Sequence, residues 1–379
     1  MKPLKYNIVA TADYHWGAMD AEKQMQESQF ILDYLTSNKV DLFVICGDYF
    51  DHRLLVNSKA ATTAMAFMKA LINISEDKKF KIVLMQGTES HDFDQLEIFR
   101  SFENENFKIV RETTCEDTLP NLKCLYTPDE TLISDEYYIK YIDTLNQDID
   151  IMFFHGTFDV NAIGRKLDDK VPNVLFDYSF FNKKTKLMVG GHWHNGDSYG
   201  NMYYTRSPYR WKFEEDLPKG FIHIEYDTTK RKYKLDRIEN TNTDRYYTFY
   251  VDTSLYTEIN QYATLLNEVK SMLIDGIEHI RIKISITDDK ELNNSCVDNL
   301  INEFQNSKQV KVVTENKFAK QIKQKHIEEN NEYVDKFKYI FDNTNSLSSI
   351  YQKFILDTKG VDISVDVVES ILQDMHIDI

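Results

Sequence analysis

Five times between Tyr6 and Asn195 the chain runs through a short apolar stretch and stops at glycine, aspartate or histidine. The stretches read "YNIVATADYH", "VDLFVICGDYFD", "KIVLMQGTESHD", "IDIMFFHG" and "KLMVGGHWHN". Runs of this length, rich in Val, Ile and Phe and cut off by turn residues, suit strands buried in a layered α/β domain. "MYYTRS" and "GFIHIEYD" extend the series. Helical patterns fall between them. Residues Ala21 to Ser37 place Phe30, Ile31, Tyr34 and Leu35 on one face, and a second helix is expected from about Ser58 to Ile74 with Asn57 or Ser58 as its N-cap.

The polar residues at those strand ends belong to one chemical class. Asp13 and His15 follow the first run, Asp48 and Asp51 the second, Glu89, Ser90, His91 and Asp92 the third, His155 the fourth, and His192 and His194 the fifth. Each motif alone has a plain reading as a turn or a satisfied histidine. The glycine pair before His192 and His194 is more specific, because residues at i and i+2 of an extended chain point the same way. Strand ends converge in space, which is where α/β folds place their sites. Carboxylates and imidazoles without thiolates favour Mn²⁺, Fe²⁺ or Zn²⁺, and a shared aspartate can hold two ions about 3.5 to 4 Å apart. Two such ions polarise a phosphoryl group and lower the pKa of the attacking water, while a nearby free imidazole supplies a proton.

Composition narrows the class further. With 379 residues and 42% hydrophobic content the chain is expected to fold as two or three domains. A formal charge of −16 argues against indiscriminate coating of nucleic acid, though not against a local groove, and bound divalent cations would offset part of it. There is no run of about 18 apolar residues and no signal-peptide core, so a cytoplasmic protein without membrane contact is expected. Cys46, Cys115, Cys124 and Cys296 are scattered without C-x-x-C spacing and are read as small buried hydrophobes.

Beyond Asn240 the pattern changes. "RYYTFYVD", a helix from Ser254 to Leu273, "HIRIKISI", a helix near Leu292 to Phe304 and "QVKVVTE" give a β-α-β-α-β series. Ile280, Ile282, Ile284 and Ile286 alternate inward, leaving Arg281 and Lys283 outward for solvent or nucleic acid. A Lys-, Glu- and Asn-rich linker follows. Two amphipathic helices close the sequence, one with Leu347, Ile350, Tyr351, Phe354 and Ile355, the other with Val367, Val368, Ile371, Leu372 and Met375, separated by Gly360. So small a hairpin must pack on the rest of the chain or on a partner.

The order D-x-H, G-D-x-x-D, G-(x)-H-D, H-G, G-H-x-H resembles the calcineurin-like metallophosphoesterase superfamily. Within it, "YYTRSPYRWKFEEDLPKGF" after the last histidine pair is similar to SbcD-like nucleases, the nuclease subunits of DNA double-strand-break repair complexes in bacteria and large phages. The resemblance implies a four-layer β-sandwich flanked by helices over 1–238, a small α+β DNA-binding capping domain over 239–315, a linker over 316–345, and a helical hairpin over 346–379 that docks on an SbcC-type coiled-coil ABC ATPase.

It further implies a DNA exonuclease, 3′ to 5′, and single-strand endonuclease working as a homodimer in recombination and repair. Two divalent ions are implied, Mn²⁺ first and Mg²⁺ as the alternative. One would be held by Asp13, His15, Asp48 and His194, the other by Asp48, His155 and His192. His91 would be the unligated catalytic acid, with Asp51 supporting it or the scissile phosphate. Arg53 stays open between a phosphate contact and a surface ion pair, and Arg210, Arg281 and Lys283 are further candidates for DNA. Ile350, Tyr351, Phe354, Val368, Ile371 and Leu372 are the candidate docking residues.

One motif departs from the family. The usual Gly-Asn-His-Asp/Glu is here Gly87-Thr88-Glu89-Ser90-His91-Asp92, longer by two residues and without the asparagine that ligates the second ion. Ser90, Glu89 or water would then have to replace it. The same fold also serves metallophosphatases and cyclic-nucleotide phosphodiesterases, and the altered motif is compatible with a catalytically weakened scaffold that binds DNA ends.

Overall fold

The strand Leu42–Cys46 reads LFVIC and is buried at every position, so it needs a sheet with a layer on each side. The computed structural model describes residues 4–129, 148–162, 176–196, 198–215, 217–256, 258–287, 291–317 and 346–374. In it β1 (Lys5–Thr11), β2 (Leu42–Cys46), β3 (Lys81–Met85) and β4 (Phe107–Val110) lie side by side and parallel. A second sheet follows from β5 (Thr114–Leu119), β6 (Leu122–Thr127), β7 (Ile149–His155), β8 (Thr185–Gly191), β9 (Ser198–Tyr199) and β10 (Met202–Tyr204), in the order β5-β6-β7-β8-β10-β9. The chain then returns to the first sheet with β11 (Gly220–Asp227) and β12 (Lys232–Glu239), giving β12-β11-β1-β2-β3-β4. The inner strands β6, β7, β8 and β10 are also parallel, so both sheets gather their carboxyl ends along one edge.

Three apolar layers hold this arrangement. One face of the first sheet, with Val9, Phe43 and Ile45, packs on α1 (Ala21–Ser37) and α2 (Lys59–Lys78) through Ile31, Leu35, Phe67 and Leu71. The other face, with Ile8, Ala10 and Val44, meets Phe153, Leu187 and Val189 of the second sheet. The outer face of the second sheet, with Met152, Phe154 and Met188, is covered by Phe158, Phe176 and Phe181, the last on α3 (Tyr178–Lys184). Alternating side chains of buried strands therefore serve two cores at once, as the unbroken apolar runs require. Asp20 caps α1 by accepting from the Glu22 and Lys23 amides, and Ser58 caps α2 through Ala61.

The sequence reading does not anticipate β4, β5, β6 and β12. β4, β5 and β12 are short or polar-rich edge elements, whereas β6, LKCLYT, is an inner strand whose apolar run is broken by Lys123; β12 reads KYKLDRIE and presents half-exposed residues along most of its length. The expected helix at Ser254 begins later: Thr253–Leu255 is a single 3₁₀ turn and α4 runs Ile259–Ile274. Cys46, Cys124 and Cys296 are buried and all four cysteines are free.

The chain divides into two compact units, residues 1–248 with 271–281 and residues 249–270 with 282–379. Among the described residues a three-stranded sheet is ordered β13-β14-β15, from Tyr246–Asp252, His279–Ile286 and Val310–Asn316. Ile280, Ile282 and Ile284 are fully buried, and α5 (Glu291–Phe304) lies between β14 and β15 in the chain. Residues 318–345, most of the expected linker, and Met375 lie outside the described residues. In the second unit α6 (Leu347–Lys359) ends at Gly360 in a left-handed cap and packs against α7 (Val365–Asp374). No described helix is long and apolar enough to cross a membrane.

Phe153 fills the space between the two sheets, so Phe153→Ala is expected to destabilise the protein by about 3 to 5 kcal/mol. Leu255→Ala, at a position 71% exposed, should change stability by less than about 0.5 kcal/mol. Denaturant titration of the two variants checks the contrast.

Candidate metal centre

The hydrogen-bond ladder between β1 and β2 continues past the strands. Asp13 N donates to Gly47 O at 3.0 Å, His15 N to Asp48 O at 3.0 Å and Trp16 N to Tyr49 O at 2.9 Å. Holding two loops in register this way forces unusual backbone on the polar residues. Asp13, His15, Asp48 and His192 adopt positive φ angles of 58°, 50°, 50° and 95°. Each such non-glycine residue stores on the order of 1 kcal/mol or more, and strain of this kind concentrates where geometry serves a function. Two glycines make the close approach possible: a Cβ on Gly47 would stand 2.4 Å from His155 Nδ1, and one on Gly87 would stand 2.0 Å from the Asp48 amide nitrogen.

The side chains converge in three overlapping groups whose ligand atoms lie within 4.8 Å of one another: Asp13, His15 and His194; His15, Asp48 and His91; Asp48, His155 and His192. Asp48 Oδ2 is 3.7 Å from His15 Nε2 and 3.2 Å from His155 Nε2, so one carboxylate oxygen faces both halves of the site. His15 Nε2 and His194 Nε2 are 2.9 Å apart. The outer nitrogens are engaged elsewhere. His155 Nδ1 donates to the Cys46 carbonyl at 2.7 Å, and His194 Nδ1 donates to Glu215 Oε1 at 2.6 Å, leaving the Nε2 atoms directed inward. Asp13 accepts from the His192 amide at 2.9 Å. Convergent imidazole lone pairs beside buried carboxylates are the donor set that two divalent ions require.

The electrostatics agree. Burial opposes the charge on Asp48, but His155, His15 and His91 outweigh it and hold the carboxyl far below its usual range. Burial likewise disfavours a charged His155, yet Asp48 lifts it to about 10, so without an ion the ring carries a proton on Nε2 that a bound metal would displace. His192 is lowered by burial and by His155, and His194 by burial. Asp92, fully buried, is raised to about 7 by burial and by Asp48, although the amides of Phe50 (2.9 Å) and Gly87 (2.7 Å) favour its ionised form.

Six expected ligands, Asp13, His15, Asp48, His155, His192 and His194, and the expected acid His91 are thus brought to one place. Asp51 sits at its edge in an unexpected way: its backbone carbonyl bonds His91 Nδ1, whereas its carboxylate is 3.4 Å from His15 Nδ1 and 2.9 Å from His52 Nδ1. Glu89 and Ser90 are exposed, and Glu89 belongs to none of the three groups. Thr88 faces the site instead, with Oγ1 3.5 Å from Asp48 Oδ2 and 3.4 Å from His155 Nε2.

The arginines divide. Arg53 is exposed, with its guanidinium 5.9 Å from the Phe93 ring centre. Arg210 donates to the carbonyls of Glu215 at 3.0 Å and Leu217 at 3.4 Å. Arg281 bonds Glu214 at 2.7 Å and lies over Phe213. Lys283 lies 5.9 Å from the Tyr250 ring centre.

Sequence reasoning assigned no role to Glu215, Lys219 or Trp211. Glu215 is 2% exposed and orients His194; Lys219, wholly buried and lowered to about 8 mainly by burial, donates to the His194 carbonyl at 2.8 Å. Trp211 lies 5.1 Å from the His15 ring and 5.6 Å from the His194 ring. The signal was present in "YRWKFEEDLPKGF", an acidic and aromatic cluster too dense for a simple turn.

Two packed sheets whose parallel strands deliver carboxylates and imidazoles to one edge define a metal-dependent phosphoester hydrolase. Residues 6–216, more than half of the 379, match the calcineurin-like phosphoesterases, and the chain belongs to that family. No curated protein matches the chain.

Glu215→Gln keeps the shape of the side chain but removes the charge behind His194. It is expected to weaken the tighter Mn²⁺ binding event roughly tenfold or more with little change in melting temperature. Calorimetric titration of the metal-free protein with Mn²⁺ reads this.

Proposed function

We propose that the protein is a two-ion DNA phosphodiesterase acting at DNA ends, an SbcD-like nuclease that works with a coiled-coil ABC ATPase in recombination and repair. The observation that carries the reading is how the segment after the last histidine pair is used. Its Glu215, Lys219 and Trp211 are built into the support of His194 and His15. The stretch that sets this subfamily apart is therefore part of the site's own structure.

Asp13, His15, Asp48 and His194 would hold one ion, and Asp48, His155 and His192 the other, with Mn²⁺ proposed and Mg²⁺ as the alternative. Such ions polarise the phosphoryl oxygen and lower the pKa of the attacking water. The chain supplies the rest. His91, with Nδ1 engaged by the Asp51 carbonyl, has Nε2 left to give a proton to the departing sugar oxygen as the P–O bond breaks. Asp51 and Glu215 hold the imidazoles of His15 and His194 in orientation.

The second unit carries the proposed recognition surfaces. Lys283 on β14 is a candidate DNA contact, whereas Arg210 and Arg281 act first as structural donors within the chain. On the helical pair, Val368 and Leu372 are each 3% exposed and so leave little surface for a partner. Ile350 is partly buried, and Tyr351, Phe354 and Ile371 are exposed, forming the surface proposed to dock on the ATPase. The active assembly is proposed to be a dimer.

Mn²⁺-dependent cleavage of linear duplex DNA is expected, and His91→Ala should reduce it by about 10²- to 10⁴-fold. Cleavage of a small phosphodiester but not of DNA would replace this reading with a general phosphodiesterase. DNA-end binding without cleavage would replace it with a scaffold.

Removing the residues after Asn345 should abolish co-purification with a coiled-coil ABC ATPase while leaving cleavage of the small phosphodiester in place. Association that survives the truncation rejects the docking assignment.

A further inference from the structure

The three residues grouped around the second half of the centre, Asp48, His155 and His192, offer one ligand atom each. A hard divalent ion takes five or six donors, so three leave it undersupplied. Donors that share one ion at about 2.1 Å stand roughly 3 to 3.5 Å from each other. Thr88 Oγ1 meets that spacing twice, at 3.5 Å from Asp48 Oδ2 and 3.4 Å from His155 Nε2. His155 Nδ1 is engaged by the Cys46 carbonyl, so only Nε2 of this ring faces Thr88 Oγ1 and Asp48 Oδ2. A cation entering between the three atoms would displace the Nε2 proton and draw on all of them.

Thr88 is also tied down on both sides of its peptide unit. Its amide donates to Asp48 Oδ1 at 2.7 Å, and its carbonyl accepts from His91 N at 2.9 Å and Asp92 N at 3.0 Å. Asp92 in turn takes the Gly87 amide, closing the turn from beneath. Glu89 and Ser90 are displaced to solvent at its tip. The hydroxyl therefore reaches the site without any rearrangement of the loop.

We propose that Thr88 is a ligand of the second divalent ion through its side-chain hydroxyl, and that this neutral donor makes the second ion the more weakly held of the pair. The proposal rests on the two-ion reading of the centre but not on DNA as the substrate. It is tested without any substrate, by titrating the metal-free full-length protein with Mn²⁺ alone and following calorimetry and the free-ion electron paramagnetic resonance signal.

Wild type should bind two ions with unequal affinity. Thr88→Val, which keeps the shape and the backbone bonds, should weaken the second ion roughly tenfold or more and leave the first unchanged. Thr88→Ser should retain both, and Glu89→Ala with Ser90→Ala should also retain both. An unchanged second affinity in Thr88→Val, or loss of the second ion in the Glu89/Ser90 double variant, overturns the assignment. Intact binding of the first ion reports that Thr88→Val is folded. Failure to cut DNA bears on the nuclease reading alone, since the titration is independent of it.

Discussion

Everything about this centre depends on keeping one buried carboxylate ionised at the junction of two sheets. Asp48 stands at the end of the central strand of the first sheet, on a backbone in the left-handed region, 3% exposed and facing imidazoles from both sheets. A lone charge there would be expelled or neutralised. What stabilises it is the convergence of His15 and His155, together with the Thr88 amide, and each of those groups is fixed by a bond to backbone or carboxylate on its far side. The sandwich is the frame that brings those partners within reach, and the bare backbone at Gly47 and Gly87 lets them close.

The five apolar runs made the central strands legible because buried parallel strands leave so plain a pattern. Their polar ends made the ligand set legible for a related reason: nothing but convergence explains carboxylate and histidine at the ends of strand after strand. The edge strands were not legible, since Lys232–Glu239 carries as many charges as a loop and is held in place by pairing with β11 rather than by its own pattern. The contributions of Glu215 and Lys219 were hidden in another way. A buried ion pair is invisible until the fold removes it from water, and in sequence the two read as ordinary surface charges.

The third motif shows where counting positions along a chain misleads. Alignment of the histidine put Ser90 in the ligand slot, with Glu89 as the alternative. In space the turn is anchored at Thr88 and Asp92, and the inserted residues stand outside that anchor. If Thr88 is the ligand, as proposed, its position follows hydrogen-bond attachment, and the insertion moves the register of the motif without moving the site.

That arrangement separates the length of the turn from its chemistry. With Thr88 and His91 joined to each other by backbone bonds, the tip between them is a neutral handle on a working centre. A spectroscopic label attached at Ser90 would ride beside the centre and report the arrival and departure of metal ions from an exposed position at the tip of the turn.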